Sequence, residues 1–157
     1  MLRSVIEHDH KTAPAYLKVA AAANTGMGVV FANGGLAFPA AETAADIYVL
    51  NKARVASGLL AAQDIVSDYA PEFNTLAAGE LAVAYNFDFG EQFAVDQYDA
   101  ENVTEANKGK VLAVGTDGKW TIAGSGVASK YIFDGFYVDG SHTLALIRVS
   151  DTATTNA

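Results

Sequence analysis

The side chains with the widest chemical reach are few and scattered along the chain. His8, Asp9 and His10 contain the one histidine pair. Two imidazoles at i and i+2 point to the same side of a strand and could hold a metal ion. Such a site needs further ligands on a rigid frame, and this pair lies in a charged N-terminal stretch, so it reads as a solvated polar segment. His142 follows Asp139-Gly140-Ser141 and reads as a surface residue beyond a turn. Asp88, Glu91, Asp96, Asp99 and Glu101 form the densest acid group. Carboxylates about 5–9 Å apart cleave glycosides, and clusters of oxygens bind calcium. The spacing here does not follow the calcium loop D-x-[DN]-x-[DN]-G, and a solvated acidic edge is expected. Ser57, Ser125 and Ser141 are the serines closest to glycines, and none lies in G-x-S-x-G. Gly26-Met27-Gly28 runs on to Phe31 where a dinucleotide loop needs its third glycine, and no βαβ unit surrounds it. The residues therefore predict no catalytic group, no metal ligand and no cofactor.

The aromatics are the next candidates. Tyr85, Phe87, Phe89, Phe93 and Tyr98, then Trp120, Tyr131, Phe133, Phe136 and Tyr137, would suit a platform for sugars or bases. Most of the first set falls at even spacing, which is the pattern of a strand's core face. Residues 131–137 hold more aromatic surface than one face buries, because Tyr131, Phe133 and Tyr137 share a parity that Phe136 does not. Tyr131, Phe136 and Tyr137 are thus candidates for a surface covered by another subunit.

The elements that position these residues are short strands. Between residues 108 and 149 the turn signals are Lys108-Gly109, Asp117-Gly118, Gly124-Ser125-Gly126, Asp134-Gly135 and Asp139-Gly140. Asp-Gly accepts the positive φ angles of tight hairpins, so strands are expected at 110–114, 119–122, 130–133, 136–138 and 143–149. Upstream, 27–31 reads as a strand, Asn33-Gly34-Gly35 as a turn, and 46–50 as a strand rich in β-formers. Residues 40–45 could form one helical turn. Residues 57–80 read as loop with short strands, a helix being the alternative. Residues 81–87 alternate, with Leu81, Val83, Tyr85 and Phe87 assigned to one face. The chain divides into an extended N-terminal arm (1–25), one β-rich domain (26–149) and a fraying, flexible C-terminal tail (150–157). The expected fold is mainly β, a small antiparallel β-barrel or β-sandwich with short hairpins. Both architectures protect strand edges.

Composition narrows the partners. A chain of 157 residues with 51% apolar residues has enough material for one core. Cysteine is absent, which excludes disulfides and thiol chemistry. No run of about 18 apolar residues suggests a membrane span, and the start lacks the apolar stretch of a secretory signal. A net charge of −8 argues against nucleic acid, whose phosphates are neutralised by clustered Lys and Arg. Ten acids and no Lys or Arg lie between Asp64 and Glu105, which reads as a solvated acidic rim or a surface for a basic partner.

Two stretches carry a resemblance. One runs from Gly79 to Tyr98, through Gly90-Glu91-Gln92-Phe93-Ala94, and the other is Gly109-Lys110-Val111-Leu112-Ala113-Val114 followed by Asp117-Gly118-Lys119-Trp120. Together they resemble head proteins of tailed bacteriophages of the capsid decoration, or cement, type, over roughly residues 79–149. The resemblance implies a non-enzymatic β protein on the outer surface of the virion capsid, a homotrimer whose arm lies on the major capsid protein and stabilises the mature shell. On that basis Tyr16 and Leu17 would anchor the arm, and Lys11 and Lys18 would supply charge contacts. The competing expectations are a carbohydrate-binding or adhesive module of a head fibre or tail using Trp120 and Tyr131, and an enzyme using Asp88, Glu91, Asp96 or Asp99.

Overall fold

The structure is a computed structural model that describes residues 1–7, 11–12, 17–52 and 69–156. In chain order the elements are β1 (Leu2–Ile6), β2 (Lys11–Thr12), β3 (Leu17–Lys18), β4 (Ala23–Asn24), β5 (Gly28–Ala32), β6 (Gly35–Ala37) and β7 (Tyr48–Asn51). They continue with the single helical turn α1 (Pro71–Asn74), β8 (Thr75–Leu76), β9 (Leu81–Asn86) and β10 (Gln92–Val95). A 3-10 turn at Glu105–Asn107 precedes β11 (Leu112–Val114), β12 (Trp120–Ile122), β13 (Ser129–Asp139) and β14 (His142–Thr154).

Turn chemistry sets where these strands reverse. Asn33 and Gly34 take φ angles of 51° and 77°, the doubly left-handed backbone that joins β5 to β6 in a two-residue hairpin. Gly140 takes φ 62° at the first central position of the turn between Asp139 and His142, joining β13 to β14. Asp117-Gly118 closes the β11–β12 hairpin as expected. Asp134-Gly135 does not reverse the chain. β13 is continuous through it, and the register shifts between Phe133 and Phe136, so the dipeptide makes a bulge. Gly135, at φ 101°, absorbs the extra residue.

Two sheets carry the fold. The first orders its strands β1-β10-β14-β13; the second runs β2-β9-β7-β5-β6, with β3 also paired to β9. Both are antiparallel throughout. Among the described residues neither closes into a barrel, and the arrangement is that of a small β-sandwich. The larger core joins the two sheets, with Phe93 and Val95 from β10, Tyr131 and Phe133 from β13, Ile147 from β14 and Val49 from β7, around Phe87 and Trp120. A second core holds Val29, Leu50, Ala82 and Ala84 with Val19, Leu36 and Leu76. Val49 and Leu50 are sequence neighbours that enter different cores, so β7 is buried on both faces.

The alternation expected over 81–87 is present in β9: Ala82 and Ala84 face the second core, Tyr85 and Phe87 meet the larger core, and Leu81 at the strand's start is 47% exposed. The size of a side chain does not reveal which face is buried when both sheet faces carry a core. Within the N-terminal stretch 1–25, read as an extended arm with a short β or helical piece, residues 2–6 form β1 on β10, and Val19 and Ala23 sit in the second core. No helical turn forms at 40–45; Thr43 bridges to Val114. Of residues 57–80, those from 69 on are described and contain α1 and β8.

Residues 150–154 continue β14 where a fraying tail was expected. Beyond them the Asn156 side chain behaves like one more strand residue. Its Oδ1 accepts from Val111 N (2.9 Å), and its Nδ2 donates to Val111 O (3.0 Å) and Ala123 O (2.8 Å). Val111 and Ala123 are buried, so removing the amide strands polar backbone groups away from water. Asn156→Ala is expected to cost about 1–3 kcal/mol in a urea melt. Asn156→Gln, with the amide displaced by one methylene, should not restore it.

Candidate functional site

The residues singled out from the sequence fall on two separate surfaces. Lys11 lies opposite Asn86, Leu17 opposite Ala82 and Lys18 opposite Leu81, so all three line β9. Lys11 and Lys18 are exposed, and Leu17 is half-buried against the second core. By register Lys18 and exposed Leu81 share one face of this sheet edge, while Lys11 and Leu17, opposite Asn86 and Ala82, point to the other face, so the edge carries an ammonium group on each side. Tyr16, the His8–His10 pair and Ser57 lie outside the described residues.

Tyr131, Phe136 and Tyr137 lie on β13 of the first sheet. Tyr131 is corrected to a core residue. Along β13 burial alternates, and Tyr131 and Phe133 point inward with no exposure. The Tyr131 ring stands edge-on to Trp120 (5.0 Å between ring centres) and Phe93 (6.3 Å), and its hydroxyl donates to Ile47 O (3.3 Å). Burial pushes that hydroxyl far above its ordinary pKa. Phe136 is half-buried against Phe133 and Tyr98. Tyr137 keeps 38% of its surface exposed, and its neighbour Val138 keeps 68%.

At the tip of the β13–β14 hairpin, Asp139 Oδ2 accepts from Arg3 Nε (2.8 Å) and from the Tyr69 hydroxyl (2.9 Å). The Tyr69 ring stacks on His142 with 3.6 Å between centres. The Tyr69 hydrogen bond, and then Arg3, hold the Asp139 carboxyl below its usual range. Desolvation, and then Asp139, push Tyr69 up to about 12. A depressed carboxyl stabilises the fold above its unfolded pKa of about 4 and loses that contribution as pH falls through the native value. The difference in urea midpoint between wild type and Asp139→Asn is therefore expected to be constant near neutrality and to shrink below about pH 4. An unchanged difference at low pH would mean that the network does not hold the carboxylate in solution.

The acid group is spent on local structure. Glu91 is fully buried, which corrects its assignment to a solvated edge, and its Oε2 accepts from Asp88 N. Asp96 pairs with the Met1 amine. Asp99 accepts from Asn102 Nδ2 and Glu101 N, and these bonds hold its carboxyl below the ordinary range. No group of three or more metal-ligating side chains converges among the described residues.

One concavity was not foreseen. About 640 Å³ opens between β5, β7 and the loop that joins β6 to β7, walled by Phe31, Pro39, Glu42, Thr43, Asp46 and Tyr48. Phe31 is 43% exposed and meets Tyr48 edge to face, 4.6 Å between ring centres. The wall is fixed at two points. Thr43 exchanges two backbone hydrogen bonds with Val114 (3.1 and 2.8 Å), and Glu42 Oε1 accepts from Gly124 N (2.7 Å). Phe31, Glu42, Asp46 and Tyr48 carry no sequence signal beyond Phe31's place just before the Asn33-Gly34 turn, because the hairpin and the loop converge only in the fold.

No protein-family model matches the chain, and no curated protein or solved structure matches it.

Proposed function

We propose that the chain is a non-enzymatic structural protein that binds the outer surface of a tailed-phage capsid, contacts the major capsid protein and stabilises the mature shell, acting as a homotrimer. The observation that carries this reading is the edge of β9, where Lys18 with exposed Leu81 on one face and Lys11 with Leu17 on the other give a strand edge that carries two lysines and apolar surface. In a chain of net charge −8 this is a basic, partly apolar edge, the composition that docks on an acidic protein surface. This edge adjoins the stretch from Gly79 whose sequence resembles decoration proteins. A protein that binds the expanded lattice and not its precursor stabilises the expanded state by mass action, and many copies per shell multiply weak contacts.

The test is sedimentation of the purified chain with expanded and unexpanded heads. Saturable binding to expanded heads alone is expected. The double variant Lys11→Glu/Lys18→Glu should bind at least about tenfold more weakly, with a reduced dependence on salt. Absence of saturable binding to any head would overturn the reading. The competing glycan-binding reading loses its platform, because Trp120 and Tyr131 are both fully buried.

A further inference from the structure

We propose that the concavity walled by Phe31, Tyr48, Glu42 and Asp46 is a docking groove for an extended, lysine- or arginine-bearing segment of a partner protein. This inference stands apart from the shell-binding reading, which rests on the opposite charge on a different strand. Three observations carry it.

The first is size. About 640 Å³ is within the range of roughly 300–1,000 Å³ typical of ligand sites, and it exceeds the volume of one side chain. The second is chemistry. The lining holds two carboxylates and two aromatic rings, and no Lys, Arg or His. A cation beside an aromatic ring is drawn by the ring's quadrupole, and guanidinium also bonds carboxylate in a fixed fork. Glu42 already accepts Gly124 N, and a carboxylate has lone pairs for further donors. An anionic ligand is repelled here, and a neutral one leaves both carboxylates without a counter-charge. The third is rigidity. The Thr43–Val114 and Glu42–Gly124 bonds set the loop against β11 and the start of the next turn, so little ordering remains for the ligand to impose.

The experiment is an amide NMR titration of the full chain with a blocked Ala-Ala-Arg-Ala-Ala peptide and with its citrulline counterpart, which keeps the shape and lacks the charge. Shifts concentrated at Val30, Phe31, Thr43 and Tyr48 are expected, with the citrulline peptide at least about tenfold weaker. Asp46→Asn is a clean probe, because Asp46 sits at φ 52° and Asn accepts that backbone as readily as Asp. Asp46→Asn and Phe31→Ala are each expected to weaken the arginine peptide by about fivefold or more while the thermal midpoint stays within a few degrees. The proposal is overturned by no shift at these amides, by equal binding of the two peptides, or by saturation of the same amides with a neutral oligosaccharide. Concentration-dependent shifts without peptide, abolished by Asp46→Asn, would also overturn it by giving the groove to a second copy of the chain.

Discussion

Trp120→Ala is expected to remove about 3–5 kcal/mol of stability, a large share of what a domain of this size has. Trp120 has no exposed surface, and its ring packs against Phe93 (5.6 Å between centres) and Tyr131 (5.0 Å). Its indole N–H donates to Gly26 O (3.0 Å), which ties β12 to the loop entering β5. Truncation thus empties volume in the larger core and leaves Gly26 O without that donor. The thermal midpoint should fall by roughly 6–20 °C. Trp120→Phe, which keeps a ring and loses the donor, should fall between wild type and alanine. Because Trp120 is the one tryptophan in the chain, the native protein should also emit at short wavelength and resist acrylamide quenching. A loss under about 1 kcal/mol, or a readily quenched emission, would mean that the ring is not in the core.

Gly28→Ala should be damaging although the backbone there needs no positive φ. A methyl built on Gly28 would lie 2.3 Å from Val114 Cγ2 and 2.9 Å from Cγ1. Neither side can yield. Gly28 N donates to Gly118 O (2.8 Å), β5 is paired to β7, and Val114 is bonded to Thr43 and paired to β12. Overpacking at a site held this firmly is expected to cost about 1–3 kcal/mol. The sharper readout is a double-mutant cycle. Val114→Ala alone is destabilising because Val114 is fully buried, yet it deletes both clashing methyls. The double variant is expected to be more stable than the sum of the two single losses by about 1 kcal/mol or more. Strict additivity would show that β5 and β11 do not approach as closely as the structure has them.

Local signals were legible where the chemistry is local. Asn33-Gly34, Asp117-Gly118 and Asp139-Gly140 turn the chain because their backbone preferences act within a few residues. The same dipeptide at Asp134-Gly135 produced a bulge, since Asp-Gly allows positive φ and does not dictate that the chain reverse. The pairing beyond it, of β13 with the long β14, decided the matter. The two faces of β9 were legible as an alternation, but not which core each would meet. Alternation reports that two faces differ, and the presence of a second core decides which is inside. Aromatic density around Tyr131 does not mean excess surface, because the larger core absorbs Phe87, Phe93, Trp120, Tyr131 and Phe133 together. The groove is beyond sequence reading altogether. Phe31, Glu42, Asp46 and Tyr48 have no shared spacing, and Tyr48 pairs with Val29 through β7 and β5, a relation set by sheet order.

The order β1-β10-β14-β13 has a consequence in time. During synthesis residues 2–6 emerge well before their sheet partner, residues 92–95, which is itself flanked by residues 142–154. Closing so long a loop is slow, and among the described residues the strand partner of β1 is β10. The first sheet therefore completes only after β14 has been made. Until then β1 is an unpaired strand carrying Val5 and Ile6, side chains that stay 39% and 45% exposed even in the finished fold. A nascent chain in that state offers its neighbours on the same message a ready strand to pair with, so the hazard for this protein lies in crowding during translation more than in the stability of the folded molecule.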